Sequence, residues 1–169
     1  MAERLVDFMA LGRVSSRAEL RNIRLVEVSA RCDPKTGGGT LEANLDNDCE
    51  VVGRESKTLQ VACNYRFSVN ATQAKAAEAT VKYLLDYELG GDEPFAAEDI
   101  EEFAFANGTL HSWPFVREFL YGLTSKMGFP PYMLPAFHFK PKPPQIQPTE
   151  EKLAGTPEPA AAPSPEEAK

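Results

Sequence analysis

The sequence predicts an α+β domain, a long four-stranded antiparallel meander followed by a main helix. From residue 41 to residue 89, apolar residues recur at every second position through three successive runs. That is the period of a strand with one buried and one wet face. After Gly90-Gly91 the alternation stops and helical spacing follows. The domain then ends near Lys140, because Pro141, Pro143, Pro144, Pro148, Pro157, Pro159, Pro163 and Pro165 crowd the remaining chain. That segment, 141–169, cannot bury a core and is expected to be disordered.

The bulk properties narrow the function classes. The chain has 169 residues, 43% of them hydrophobic, and a net charge of −7. This suffices for one domain with a core. The acidic balance and scattered basic residues exclude a nucleic-acid surface, which needs clustered Lys and Arg. Glu3 and Asp7 interrupt the N-terminal apolar residues, so no run has the length of a signal core or membrane span. The expected location is cytoplasmic, without membrane insertion. Cys32, Cys49 and Cys63 form no CxxC pair, and His111 and His138 are the only histidines. The three are read as buried free thiols on strands, with no metal and no cofactor.

Residues 1–20 are read as a helical extension, with Leu5, Phe8, Met9 and Leu11 on one face. The domain proper spans 21–140. Its first strand, Asn22 to Cys32, changes parity at Leu25-Val26, the mark of a bulge or of burial on both faces. Pro34 and Gly37 to Gly39 make a turn or short crossover. In the second strand Leu41, Ala43, Leu45, Cys49 and Val51 share one parity. The third alternates from Leu59 to Val69 and the fourth from Ala77 to Leu89. Each is roughly twice the usual five or six residues. A short helix follows from Glu93, with Glu98 and Asp99 suited to its positive N-terminal end, and Asn107-Gly108 is expected to stop it.

Ser112 is then a candidate N-cap for the main helix, with Pro114 in its first turn. At 100° per residue from Arg117, the residues Phe115, Phe119, Leu123, Val116, Met127, Leu120 and Trp113 fall between about 160° and 320°. This arc is about 160° wide, against the roughly 100° that one packing surface uses. Two readings stand: a helix sunk in a monomer core, or one whose surplus face meets a second subunit or a client. A sheet with one wet face favours the second. Val116, Phe119, Leu120, Leu123 and Met127 are the expected oligomer interface. Pro130, Pro131 and Pro135 make the next stretch an extended arm. Phe95, Trp113, Phe115, Phe129, Tyr132, Leu134 and Phe137 are the expected client-binding residues. On the wet face, Glu42, Asp46, Glu50, Glu78, Asp86 and Glu88 form either a solvated surface or a dock for a basic segment.

The order of elements and the residues Pro114, Phe115, Arg117, Glu118, Phe129 and Pro130 resemble the SecB family of export chaperones. In that family a Pro-aromatic-x-Arg-Glu segment opens the main helix and Phe-Pro follows it. The resemblance covers about residues 21–139. It implies a cytoplasmic homotetramer, a dimer of dimers with helices sandwiched between two sheets, and no catalysis. It also implies an ATP-independent holdase that keeps unfolded preproteins in hydrophobic grooves for export. The translocase ATPase would dock on the acidic face. Arg117 and Glu118 are assigned to orienting the helix. A proline-rich tail where the family has a second C-terminal helix, together with the N-terminal extension, looks more like the divergent SecB-like chaperones of toxin–antitoxin systems. Their client is an antitoxin. A small enzyme or ligand-binding domain is the remaining alternative, and the sequence holds no P-loop, GxGxxG or HExxH motif for it.

Overall fold

The computed structural model describes residues 5–33, 40–71 and 74–143. Its elements, in chain order, are β1 (Leu5–Val6), α1 (Phe8–Ser15), β2 (Ala18–Cys32), β3 (Leu41–Arg54), β4 (Thr58–Ala71), β5 (Ala74–Leu89), α2 (Ala97–Lys126) and β6 (Lys140–Pro141). The four long strands form one antiparallel sheet, as the alternation requires. Their order, β2-β5-β4-β3, corrects the four-strand meander. Only β3, β4 and β5 run as a meander, and β2 joins at the far edge beside β5. The cause lies in side-chain pairing. Leu20, Ile23 and Leu25 stand opposite Tyr87, Leu85 and Tyr83, while Arg21, Arg24 and Arg31 reach Glu88, Asp86 and Glu78. Cross-strand apolar and opposite-charge pairs of this kind select a neighbour. The expected irregularity near Leu25-Val26 is present as a register shift between Leu25 and Glu27.

One face of the sheet is the core. Leu59, Val61, Cys63, Tyr65, Phe67 and Val69 of β4 are buried there with Val81, Tyr83, Leu85, Tyr87 and Leu89 of β5. They pack beneath α2 through Phe103, Trp113, Val116 and Leu120. Beyond Ile23, β2 leaves this cover, and every residue from Arg24 to Cys32 is exposed.

The helical region differs from expectation. α2 is one helix of 30 residues, not a short helix followed by a main one. Gly108 does not end it, because Gly108 is buried where the helix presses on β3 and β4. A Cβ there would meet Cys63 Sγ at 2.8 Å. Ser112 is not a cap. Its hydroxyl donates to the Gly108 carbonyl at 2.6 Å and shares a second hydrogen bond with the Tyr65 hydroxyl. Pro114 therefore lies in mid-helix, and the tertiary contacts on either side hold the helix through it.

At the N-terminus, where a helix is expected over residues 1–20, the described residues 5–20 hold a helix of eight residues. Asp7 caps it, accepting from Met9 N at 2.9 Å and Ala10 N at 3.1 Å. α1 buries Ala10 and Val14 rather than Phe8 and Met9. It is bolted to α2 by Arg13, which donates to both carboxylate oxygens of Asp99 at 2.7 and 2.5 Å. The arm ends by pairing β6 in parallel with β1, so Pro141 belongs to the folded body. The rest of the expected disordered tail, from residue 144, lies outside the described residues, as do Pro34 and Gly37 to Gly39.

The cysteine expectation also changes. Cys49 and Cys63 face each other across β3 and β4, with Cα atoms 4.1 Å apart, and form a disulfide. Cys32 is free and exposed on β2. The sequence spacing hid the pair because a hairpin register, not sequence proximity, brings the two sulfurs together.

Candidate client-binding and assembly surfaces

The burial of α2 resolves its wide apolar arc into a sheet-facing stripe and two flanks. Thr109, Ser112, Val116, Leu120 and Thr124 are buried at helical spacing. One flank carries Trp113 and Thr124, and the arm lies along it. Trp113 Nε1 donates to the Pro135 carbonyl at 2.9 Å. The Thr124 hydroxyl accepts from Tyr132 N at 2.9 Å and donates to the Leu120 carbonyl. Phe137 stacks on Trp113 with ring centroids 4.8 Å apart, and Tyr132 lies 5.0 Å from Phe67. Leu134 is fully buried. Trp113, Phe129, Tyr132, Leu134 and Phe137 are thus brought together, and all of them pack on the protein's own core. Met133 at 60% and Leu110 at 48% exposure supply the open apolar surface of this side.

The other flank carries His111, Phe115 and Gly122. Phe115 is 46% exposed and lies 6.2 Å from the Tyr83 ring on β5. It does not join the other client-binding candidates. Next to Tyr83, the uncovered stretch of β2 presents Leu25 and Val28 on the same sheet face, both nearly half exposed. A Cβ at Gly122 would touch nothing within 4 Å. Sheet and helix together form an open apolar trough. On this flank the Tyr87 hydroxyl shares a hydrogen bond with His111 Nδ1 at 2.9 Å. Burial lowers the His111 pKa, which keeps the ring neutral at pH 7. Tyr83 is pushed up to about 12 by burial, with the Glu118 charge adding to it.

The remaining expected site residues divide. Val116 and Leu120 are buried in the protomer's own core, so they offer nothing to a second copy. Phe119, Leu123 and Met127 are only partly buried. Phe95 lies away from the arm. The Arg17 guanidinium covers its ring at 4.3 Å, and its carbonyl accepts from Arg54. Arg117 and Glu118 are exposed, and neither side chain makes a hydrogen bond or ion pair among the described residues.

The acidic face is split in two. Asp86 accepts from Arg24 and Gln60, and Glu88 from Arg21. Lys75 and Arg31 hold the Glu78 carboxyl below its usual range. The β2 arginines therefore neutralise the β5 half. Glu42, Asp46, Asp48 and Glu50 on edge strand β3 are exposed and in no ion pair among the described residues. Sequence reasoning overlooked Thr124, Ser112 and Thr109 because buried hydroxyls read as polar. Back-bonds to the preceding helical turn satisfy Ser112 and Thr124, and the Thr109 hydroxyl accepts from Asn47 Nδ2 on β3.

No helix among the described residues is long and apolar enough to cross a membrane. Among those residues no group of three or more His, Cys, Asp or Glu is placed to hold a metal ion. No family model matches the chain. The SecB-like chaperone Rv1957 of Mycobacterium tuberculosis (strain ATCC 25618 / H37Rv) is 26% identical over 151 residues, covering 76% of this chain and 83% of that protein. The chain is a homologue of this SecB-like chaperone. The SecB-like chaperone MT2006 of Mycobacterium tuberculosis (strain CDC 1551 / Oshkosh) matches with the same figures. The solved structure of Rv1957 in complex with a ChAD peptide from the Rv1956 HigA1 antitoxin matches this SecB-like homologue with a TM-score of 0.69. The identity is 21%, over 77% of this chain and 96% of that one. Its fold is therefore the SecB-like α+β fold, carrying the two apolar flanks of α2.

Proposed function

We propose that this chain is a non-catalytic, ATP-independent holdase of the cytoplasm that binds extended apolar segments of non-native polypeptides. The observation that carries this is the aromatic flank of α2, where the chain's own arm lies extended across Trp113 and Phe67 and anchors to α2 through the two hydrogen bonds at Pro135 and Tyr132. That seat already accommodates an extended segment with alternate side chains inward, and Met133 of the arm and Leu110 of α2 are the exposed apolar residues on its outer side. Binding there rests on apolar burial, which is loosely selective. The opposite flank, with Phe115, Gly122, Leu25 and Val28, would be covered by other copies in a homotetramer. Export, with docking of the translocase ATPase, falls to the free acidic row on β3. No nucleic acid partner and no cofactor enter this reading.

A second reading keeps the fold and narrows the client to an antitoxin. The antitoxin peptide bound to the relative Rv1957 favours it.

Met133→Glu and Leu110→Glu test the site, because both positions are exposed and surface changes of this kind cost stability little, within about 0.5 kcal/mol. Together they should weaken suppression of client aggregation while mass in solution and thermal midpoint stay unchanged. Undiminished suppression would remove the site from the arm flank. The wild-type chain used as bait then separates the readings. A single tight antitoxin partner supports the dedicated chaperone, and a broad set of precursors supports export.

A further inference from the structure

We propose that Cys49 and Cys63 form a redox-sensitive latch that sets how closely α2 seats on the sheet. The two residues are direct partners in the β3–β4 register, so the bond forms and breaks without either strand sliding. Both are buried, Cys63 completely. α2 rests directly on the sulfurs. A Cβ at Gly108 would stand 2.8 Å from Cys63 Sγ and 3.2 Å from Cys49 Sγ. Thr109 Oγ1 lies 3.5 Å from Cys49 Sγ and accepts from Asn47 Nδ2 of the same strand at 3.0 Å. There is no slack above the pair.

Two thiols need more room than a disulfide, since unbonded sulfurs move apart to van der Waals contact in an interior already close-packed. β4 is a central strand, held on both sides by β3 and β5. The room must then come from the helix or from edge strand β3. Either movement loosens the turn of α2 around Gly108. That turn leads directly to Leu110, His111 and Trp113, which border the two apolar flanks.

The chemistry is two successive thiol–disulfide exchanges with a low-molecular-weight thiol. The first attack forms a mixed disulfide and releases one cysteine thiolate. The second cysteine is freed when another reductant thiol attacks that mixed disulfide. Both cysteine sulfurs end as thiols, and two reductant thiols become the reductant's own disulfide. A low-molecular-weight disulfide reverses the sequence. Burial shields the sulfurs while α2 is seated, so exchange and helix opening are linked equilibria. In a reducing compartment a disulfide of this kind is transient or sensing rather than permanent.

The test uses the full chain equilibrated with oxidised or reduced glutathione and needs no client, so it stands apart from the holdase reading. Alkylation after denaturation and mass measurement should find Cys49 and Cys63 joined to each other in the oxidised sample, with exposed Cys32 free or carrying one glutathione, and all three cysteines alkylated in the reduced one. Hydrogen exchange in peptides spanning residues 104–113 should be at least about tenfold faster in the reduced form. Cys32→Ser should keep this response, and the double variant Cys49→Ala with Cys63→Ala should lose it. Cys49 and Cys63 still alkylated after oxidation would overturn the latch. So would equal exchange of the helix in the two forms, or a response that survives the double variant. If the double variant does not fold, the comparison of oxidised with reduced Cys32→Ser decides by itself.

Discussion

Gly108 and Gly122 show how two identical residues of one helix come to opposite roles. Gly108 sits on Cys63, Val61 and Cys49 with no room for a methyl group, whereas Gly122 faces open space. Gly108→Val should therefore cost about 1–3 kcal/mol, the usual cost of overpacking a tight interior. Gly122→Ala should gain up to about 1 kcal/mol in the isolated protomer, from helix propensity alone. Urea unfolding of the two variants measures both, and a stabilised Gly108→Val would mean that α2 does not seat on the sulfurs. Neither glycine's role was legible in the sequence. Asn107-Gly108 reads as a helix stop in one dimension, and the contact that overrides it comes from strands about a third of the chain away. Cys49 and Cys63 were invisible as a pair for the same reason.

The elements were legible where one period dominates. β4 and β5 alternate cleanly because one face is core and the other wet, and α2 from Trp113 to Met127 shows its apolar arc directly. α1 was misplaced because Phe8 and Met9 look like core residues, yet Ala10 and Val14 are the ones buried. The small residues allow close approach to α2, and the Arg13–Asp99 pair fixes the contact. Arg13 holds the Asp99 carboxyl below its usual range, mainly through their hydrogen bonds. A lowered carboxylate pKa contributes stability above the unfolded value, and that contribution disappears as pH falls through the folded one. Asp99→Asn should thus lower the thermal midpoint at pH 7, and the gap from wild type should close as the pH falls below the ordinary carboxylate range. Midpoints measured from pH 7 down to pH 2 check this, and a gap independent of pH would show that the ion pair does not hold α1.

For the whole molecule, the apolar surface of Leu25, Val28 and Phe115 is the one assigned to other copies of the chain. β2 is a long edge strand with Leu25, Val26 and Val28 all nearly half exposed. Such an edge invites pairing with another chain unless something protects it. Light scattering should give a mass near four chains. Phe115→Glu should lower it, because an ionised carboxylate tolerates burial in an apolar contact poorly. A monomeric wild type would leave the trough to clients instead. The sequence by itself determined the α+β class, the strand faces and the aromatic helix with its extended arm. These follow from local periodicity and from proline's fixed backbone, which neighbours in sequence suffice to specify. Only the tertiary structure decided the place of β2, the single continuous α2, the disulfide and the neutralised half of the acidic face. Each of these depends on which side chains meet across the sheet, and that is set by long-range packing and charge pairing rather than by any local pattern.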